Sequence, residues 1–402
     1  YTAEDAYLGN YVGALEALDA GITTLVDHCH ILNTPEHAEE AARGLQDSGM
    51  RAIFCYGTFP NEPRVPMQVP DDPGCRSSAA SDVYKRQFPN EPRVPMQVPD
   101  DPGWRHKTAR ELKAHRLSDS RGLVRFGFAP SEAEAMPFEE LVAEIKLARE
   151  LGAGAISLHA AMGSYAFDAH VVENLKKEGL LGPDLLFVHG SAFTDLELDL
   201  IREAGAGISA TPETELQMGM GFPVAHRAHA HGVRTGLGID IVSNYSGDMF
   251  LPMRLALQST RAARNAEYEA RKRAPSVIEP KAESVLRMAT IGGAEAINMQ
   301  KEIGTLEKGK SADIAIISTG AIHMTPSFDA VGALVMNARP SDISTVLVNG
   351  KIVKRDGKLV GVDWPSLRSR FAASANRIMD GFRTVDIPAT AEATRPIMPH
   401  LE

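Results

Sequence analysis

Cysteine is scarce in this chain: Cys29, Cys55 and Cys75 are the full complement, and no two of them have CxxC spacing. That excludes a disulfide framework and a thiolate zinc site, and makes a reducing cytoplasm the expected location. No apolar run approaches the roughly 18 residues of a membrane span and no signal peptide is visible, so a membrane is not an expected partner. Positive charge is not in excess. A net charge of −10 and a pI near 5.8 argue against nucleic acid or an anionic membrane as the main partner. No GxGxxG follows the first predicted strand, which removes the usual case for a dinucleotide. The chain opens on Tyr1 rather than Met, so sequence upstream of it is expected.

What is present suits a large folded core. The 402 residues are 44% hydrophobic and 23% charged, with 34 Gly and 25 Pro, which is globular composition. One stretch does not fit. FPNEPRVPMQVPDDPG at residues 59–74 recurs unchanged at 88–103, and between the copies lies CRSSAASDVYKRQ. Genuine repeats diverge and recur several times along a chain. SSAASDVYKRQ (77–87) resembles the in-frame translation of a transposase adaptor, so residues 75–103 are read as an artefactual insertion and set aside.

Helix and strand alternate regularly through the first 300 residues. Strands are predicted at 22–26, 51–57, 123–129, 155–159, 185–189, 207–210 and 234–239, from apolar and β-branched runs. Helices are predicted after each, at 35–48, 105–116, 137–151, 168–178, 194–204, 222–231 and 248–265, with a further helix at 284–297 and one more ahead of the first strand at 4–20. A helix with no strand before it is what an α/β fold of the (β/α)8 TIM type leaves when its first strand is missing. A doubly wound open sheet is the rival, since periodicity does not show closure. The expected division is a barrel at 1–300, a partial β-sandwich at 301–362, and a C-terminal unit at 363–402 made of a helix (364–379) and a loosely held tail (383–402). Within the sandwich, TVLVNGKIVK reads as a hairpin turning at Asn349-Gly350.

Four predicted strands end in residues suited to metal or proton chemistry. Residues 22–26 run into Asp27-His28-Cys29-His30, 155–158 into His159, 185–188 into His189, and 234–239 into Asp240. A lone buried His is more often structural, and a lone Asp on such a loop is as often a cap. Four such ends on one barrel face converge, and His with carboxylate suits a divalent metal. Zinc is the expected ion, with iron second. His226, His229 and His231 are expected at the surface, residues 267–273 (EYEARKR) as a solvated helix face, and Met218 to Met220 with Phe222 as core or pocket wall.

GIDIVSNYSGDMF, with LHAAMG and FVHG before it, resembles the amidohydrolase superfamily, in the branch of triazine hydrolases, S-adenosylhomocysteine deaminase and related aminohydrolases. EALDAGITTLVDH is similar to that family's second barrel strand, and IGTLEKGKSADIAII to its passage from barrel to sandwich. The resemblance implies that His159 is the fifth-strand metal ligand, that His189 contacts metal or substrate, and that Asp240 is a ligand and proton acceptor. Ser243, Asn244 and Asp248 match the supporting loop. The family's first-strand HxH pair falls upstream of Tyr1, so the chain by itself is expected to be inactive. His28 and His30 share that spacing but sit by the second strand, and are expected to line the pocket.

The resemblance also implies a proton-carrying Glu three residues after the fifth-strand His. Here that position is Met162, which cannot carry a proton. Glu213 and Glu215 are the possible replacements, though solvation or pairing with a loop Arg is the expected role of both. The function expected is metal-dependent hydrolysis of C–N or related bonds in a small cyclic substrate. Metal-activated water attacks, Asp240 takes its proton, and His189 polarises the substrate oxygen or leaving group. The substrate contacts expected are His28, His30, Met162, Glu215 and Asn244. A small molecule is the expected partner, with a homo-oligomer as the assembly. An inactive small-molecule-binding barrel, and a lyase or isomerase on the same scaffold, are the alternatives.

Overall fold

The structure, a computed structural model, describes residues 1–58, 103–134, 137–166, 169–241 and 246–383. The predicted insertion, apart from Gly103, lies outside the described residues, as do Ser243, Asn244 and the tail after Arg383.

Seven parallel strands run β1 (Thr24–Cys29), β2 (Arg51–Gly57), β3 (Val124–Ala129), β4 (Ile156–Ala160), β5 (Leu185–His189), β6 (Gly207–Ala210) and β7 (Arg234–Leu237). They pair in that sequential order, which makes a curled, barrel-type sheet with β1 and β7 at its edges. This is the expected barrel with seven of its strands. Pairing aligns the strand ends: His159 lies opposite Val188 and Ala160 opposite His189.

Alternation along β2 divides the core. Phe54 and Tyr56 join Phe126, Phe128 and the helix residues Ala38, Ala41, Leu45 and Leu112 in the larger cluster. Ile53 and Cys55 face the other way, against Ala155, Leu186, Ala294, Ala296, Ile297, Met299 and Ile303. The chain after the last barrel helix thus fills one end of the sheet's concave side. Gly207 and Gly236 permit this, because a Cβ on Gly207 would lie 2.2 Å from the Ala296 carbonyl oxygen and one on Gly236 would lie 2.8 Å from Gly293 Cα.

That contact breaks a predicted element. The helix expected over 284–297 is instead Ala282–Arg287, a π turn at Met288–Gly292 and the short helix Gly293–Ala296. The widening coincides with the close approach to β7, where a Cβ on Gly292 would meet the Thr235 carbonyl at 2.5 Å. The helix expected over 222–231 is shorter, Ala225–Ala230, and a separate one forms at Pro212–Gln217. Pro at its first turn is the start signal, and Gly219 and Gly221, both left-handed, separate the two.

An antiparallel sheet of β8 (Ile314–Ile317), β9 (Ile343–Val348), β10 (Lys351–Arg355) and β11 (Lys358–Leu359) follows, with Asn349 and Gly350 in left-handed conformation at the hairpin turn. Buried charge joins it to the barrel. Arg51 donates twice to Asp313, at 2.7 and 3.0 Å, and Lys354 Nζ donates to the Asp19 carbonyl at 2.6 Å. The last helix, Trp364–Phe382, returns to the first, Ala3–Asp19, where Ser374 and Arg377 both donate to Asp5.

Candidate metal centre

His28, His159 and His189 stand at the C-terminal ends of β1, β4 and β5, with His30 one residue beyond β1. β1 extends through Asp27 and His28 to Cys29, three residues beyond its predicted end, so the His residues belong to the strand end itself. Alternation then separates the side chains. Asp27 accepts from the Asn10 amide at 2.8 Å on the helix side, while His28 Nδ1 lies 2.9 Å from Ser157 Oγ of β4. Past β3, the chain Ser131-Glu132-Ala133-Glu134 is tied back by Glu144, which accepts from the Ser131 N–H at 2.7 Å.

Glu132 is the hub. Its Oε1 lies 2.8 Å from His159 Nδ1 and 3.4 Å from His30 Nε2. The His28 ring stacks on His159 at 4.1 Å and on His30 at 4.6 Å between centroids, and His189 stands 5.4 Å from His159. One donor atom from each of His28, His30, Glu132 and His159 falls within 4.8 Å of the others. His28 Nε2 is buried without a hydrogen-bond partner. Three imidazoles, one carboxylate and an orphaned nitrogen between them fit a divalent cation such as zinc.

The electrostatics agree. Burial, with the neighbouring imidazoles, holds His28 well below the usual range, and burial takes His30 down to about 4 and His189 to about 3. These rings are neutral, as ligands must be. Burial alone would raise Glu132, but His159 and the other imidazoles outweigh it and hold the carboxyl at about 2. Burial likewise pulls His159 down, and the facing carboxylates, Glu132 first and then Asp240 and Glu134, together more than reverse that.

Two further carboxyls border the cluster. Glu134 accepts from the Ala161 N–H at 2.6 Å, and burial pushes it up to about 7. Glu215 is fully buried, accepts from the Thr211 N–H at 2.8 Å, and is pushed by burial up to about 8. This corrects the expectation of a solvated or Arg-paired Glu215. Glu213 instead accepts from the Ser246 N–H and hydroxyl, at 3.2 and 2.7 Å, and so fastens the loop after β7.

Asp240 lies three residues past the end of β7 in left-handed conformation (φ 55°), outside the four-donor group. Its charge nevertheless acts on both His159 and Glu215. Met162 is half-buried beyond left-handed Ala161. Asp248 caps the helix Phe250–Ala270, accepting from the Phe250 and Leu251 N–H groups at 2.7 and 3.0 Å. Asn244 cannot be placed, being outside the described residues. His226 is not the surface residue expected, since it bridges Thr260 and Ser284 hydroxyls at 2.9 and 3.0 Å. Met220 is buried, whereas Met218 and Phe222 are exposed.

Sequence reading missed Glu132, Glu134 and Thr211. The signal for the first two was there: SEAE follows the predicted strand 123–129, the same strand-end position that singled out the His residues.

The amidohydrolase family model matches residues 1–353. Among characterised proteins, the chain is 28% identical over 367 residues to a 5-methylthioadenosine/S-adenosylhomocysteine deaminase of Moorella thermoacetica, covering 90% of this chain and 73% of that protein. It is 25% identical over 365 residues to a 5'-deoxyadenosine deaminase of Methanosarcina barkeri, with the same two coverages. Among solved structures, an adenosine deaminase from Xanthomonas campestris with bound zinc superposes with a TM-score of 0.75 at 22% identity, over 96% of this chain and 77% of that one. Atrazine chlorohydrolase from Arthrobacter aurescens with zinc gives 0.73 at 20%, over 93% and 77%.

Proposed function

The chain belongs to the amidohydrolase family, and on that premise we propose that it is a metal-dependent hydrolase of C–N or related bonds in a small, ring-bearing molecule. The observation that carries this is the four-donor group of His28, His30, Glu132 and His159 at the strand ends, with His189 and Asp240 beside it. Those four residues would hold the metal. Zinc, when bound, supplies Lewis acidity and lowers the pKa of water toward ~7.

The chain's own groups do the rest. Asp240, on its left-handed loop, is the acceptor for the proton of the attacking water. His189 meets the reacting group from β5. The buried carboxyls of Glu134 and Glu215 border the pocket where Met162 offers no proton carrier. The names of the relatives favour an aminated heterocycle as substrate, with ammonia as the leaving group.

Zinc as the metal is supported by the zinc-bearing neighbours and the imidazole-rich donor set. A homo-oligomer is supported by the exposed stripe of Trp364, Phe371, Met379 and Phe382 on the last helix. A cytoplasmic location is supported by the free, buried Cys29 and Cys55.

The test is ammonia release from a panel of aminopurines, aminated nucleosides, aminotriazines and cyclic amides with zinc-loaded protein. Because His28 and His30 stand in the four-donor group, turnover of at least one, lost in Asp240→Asn, is expected in place of the inactivity expected from sequence. No turnover across the panel by protein that holds zinc would overturn the hydrolase reading.

A further inference from the structure

His189, Thr211 and Glu215 form a buried chain, with exposures of 4%, 2% and 0%. Thr211 Oγ1 lies 2.8 Å from His189 Nδ1 and 3.3 Å from Glu215 Oε1. Glu215 Oε1 also accepts the Thr211 backbone N–H at 2.8 Å, while Glu215 Oε2 is buried with no partner.

The proton count settles the directions. A hydroxyl has one proton to donate. Glu215 Oε1 accepts both the Thr211 N–H and the Thr211 hydroxyl, which leaves any carboxyl proton to Oε2. Were Thr211 to donate to His189 instead, two oxygen acceptors would face each other at 3.3 Å with no proton between them. Thr211 therefore donates to Glu215, and its oxygen accepts from His189 Nδ1–H.

We propose that Glu215 is a positioning residue which, through the Thr211 hydroxyl, fixes His189 as the Nδ1–H tautomer and leaves Nε2 as the ring's lone-pair nitrogen. An imidazole held this way binds a metal or accepts a proton, but does not donate to a substrate oxygen. The sequence-based role for His189, polarising the substrate oxygen, is thereby narrowed to ligand or acceptor. The left-handed backbone at His189 (φ 74°) adds a second constraint on the ring's placement. That His189 serves the reaction rests on the hydrolase reading; its tautomer does not.

The experiment is nitrogen NMR of the metal-free protein with labelled histidine, the His189 ring being assigned by its loss in His189→Gln. The wild type should show Nδ1 protonated and Nε2 bare. Thr211→Val and Glu215→Leu should each shift the ring toward the other tautomer and weaken cobalt(II) binding, read by visible absorption, by ~10-fold or more. Glu215→Gln keeps a carbonyl acceptor and should restore both. A wild-type ring protonated on Nε2, or Thr211→Val and Glu215→Leu rings with the wild-type tautomer, would overturn the proposal. A protein with the expected tautomer that binds no cobalt would overturn the metal reading and leave the role of Glu215 standing.

Discussion

His159 Nδ1 and Glu132 Oε1 lie 2.8 Å apart, joining the end of β4 to the loop after β3. Burial opposes ionisation of both groups, and each favours the charged form of the other. Glu132→Gln removes the largest support for the charged form of His159. The expected cost is ~1–3 kcal/mol in urea unfolding of the metal-free protein, together with a downward move of the His159 titration followed by NMR.

Glu215 gives a signed pH dependence. Its carboxyl stands at about 8 in the folded chain against an ordinary value near 4.5, so the folded state holds its proton more tightly than the unfolded one. Its contribution to stability is present below the unfolded pKa and is lost as pH rises through about 8. Glu215→Gln should therefore melt near the wild-type temperature at pH 4.5 and above it at pH 9. Parallel pH–Tm curves for the two proteins would contradict this.

Arg51 and Asp313, each 4% exposed at the side chain, bind barrel to small sheet through two parallel hydrogen bonds. Asp313 Oδ1 also accepts the Asn349 N–H at 2.7 Å, so it anchors the hairpin turn as well. Asp313→Ala leaves a buried guanidinium unpaired and should cost ~3–5 kcal/mol. Replacing both partners with apolar residues should cost less than that single change, which a double-mutant cycle in urea would show.

Gly163 follows β4 with φ +64°, and a Cβ there would lie 2.1 Å from the Met220 carbonyl oxygen. The loop after β6 therefore rests on the loop after β4, next to Met162. Gly163→Ala should destabilise the protein by ~1 kcal/mol or more, and should raise KM more than it lowers kcat if the loop contact shapes the pocket. Thermal melts and steady-state kinetics check the two parts.

Much of the architecture was legible because buried parallel strands are written as short apolar runs. Arg51–Gly57, Leu185–His189 and Gly207–Ala210 were bounded correctly from sequence. β1 was read short because Asp27, His28 and Cys29 look like a loop, although alternation sends Asp27 to Asn10 and His28 to Ser157. The π turn was not legible, since it depends on Gly236 meeting Gly293 across the fold. In the site, His159, His189 and Asp240 stood out as isolated polar residues after apolar runs. Glu132 did not, because two acids in SEAE read as an ordinary solvated loop until His159 and His30 are brought against them. The link between Thr211 and Glu215 is likewise a matter of distance, four residues apart on a turn that Pro212 starts.

The metal centre itself is tested most directly by equilibrium dialysis against zinc with elemental analysis of the purified protein. The wild type is expected to bind one zinc per chain at micromolar free zinc, and Glu132→Ala and His159→Ala each to lose it while remaining folded by circular dichroism. One tightly held zinc per chain in both variants would contradict a centre built on His28, His30, Glu132 and His159.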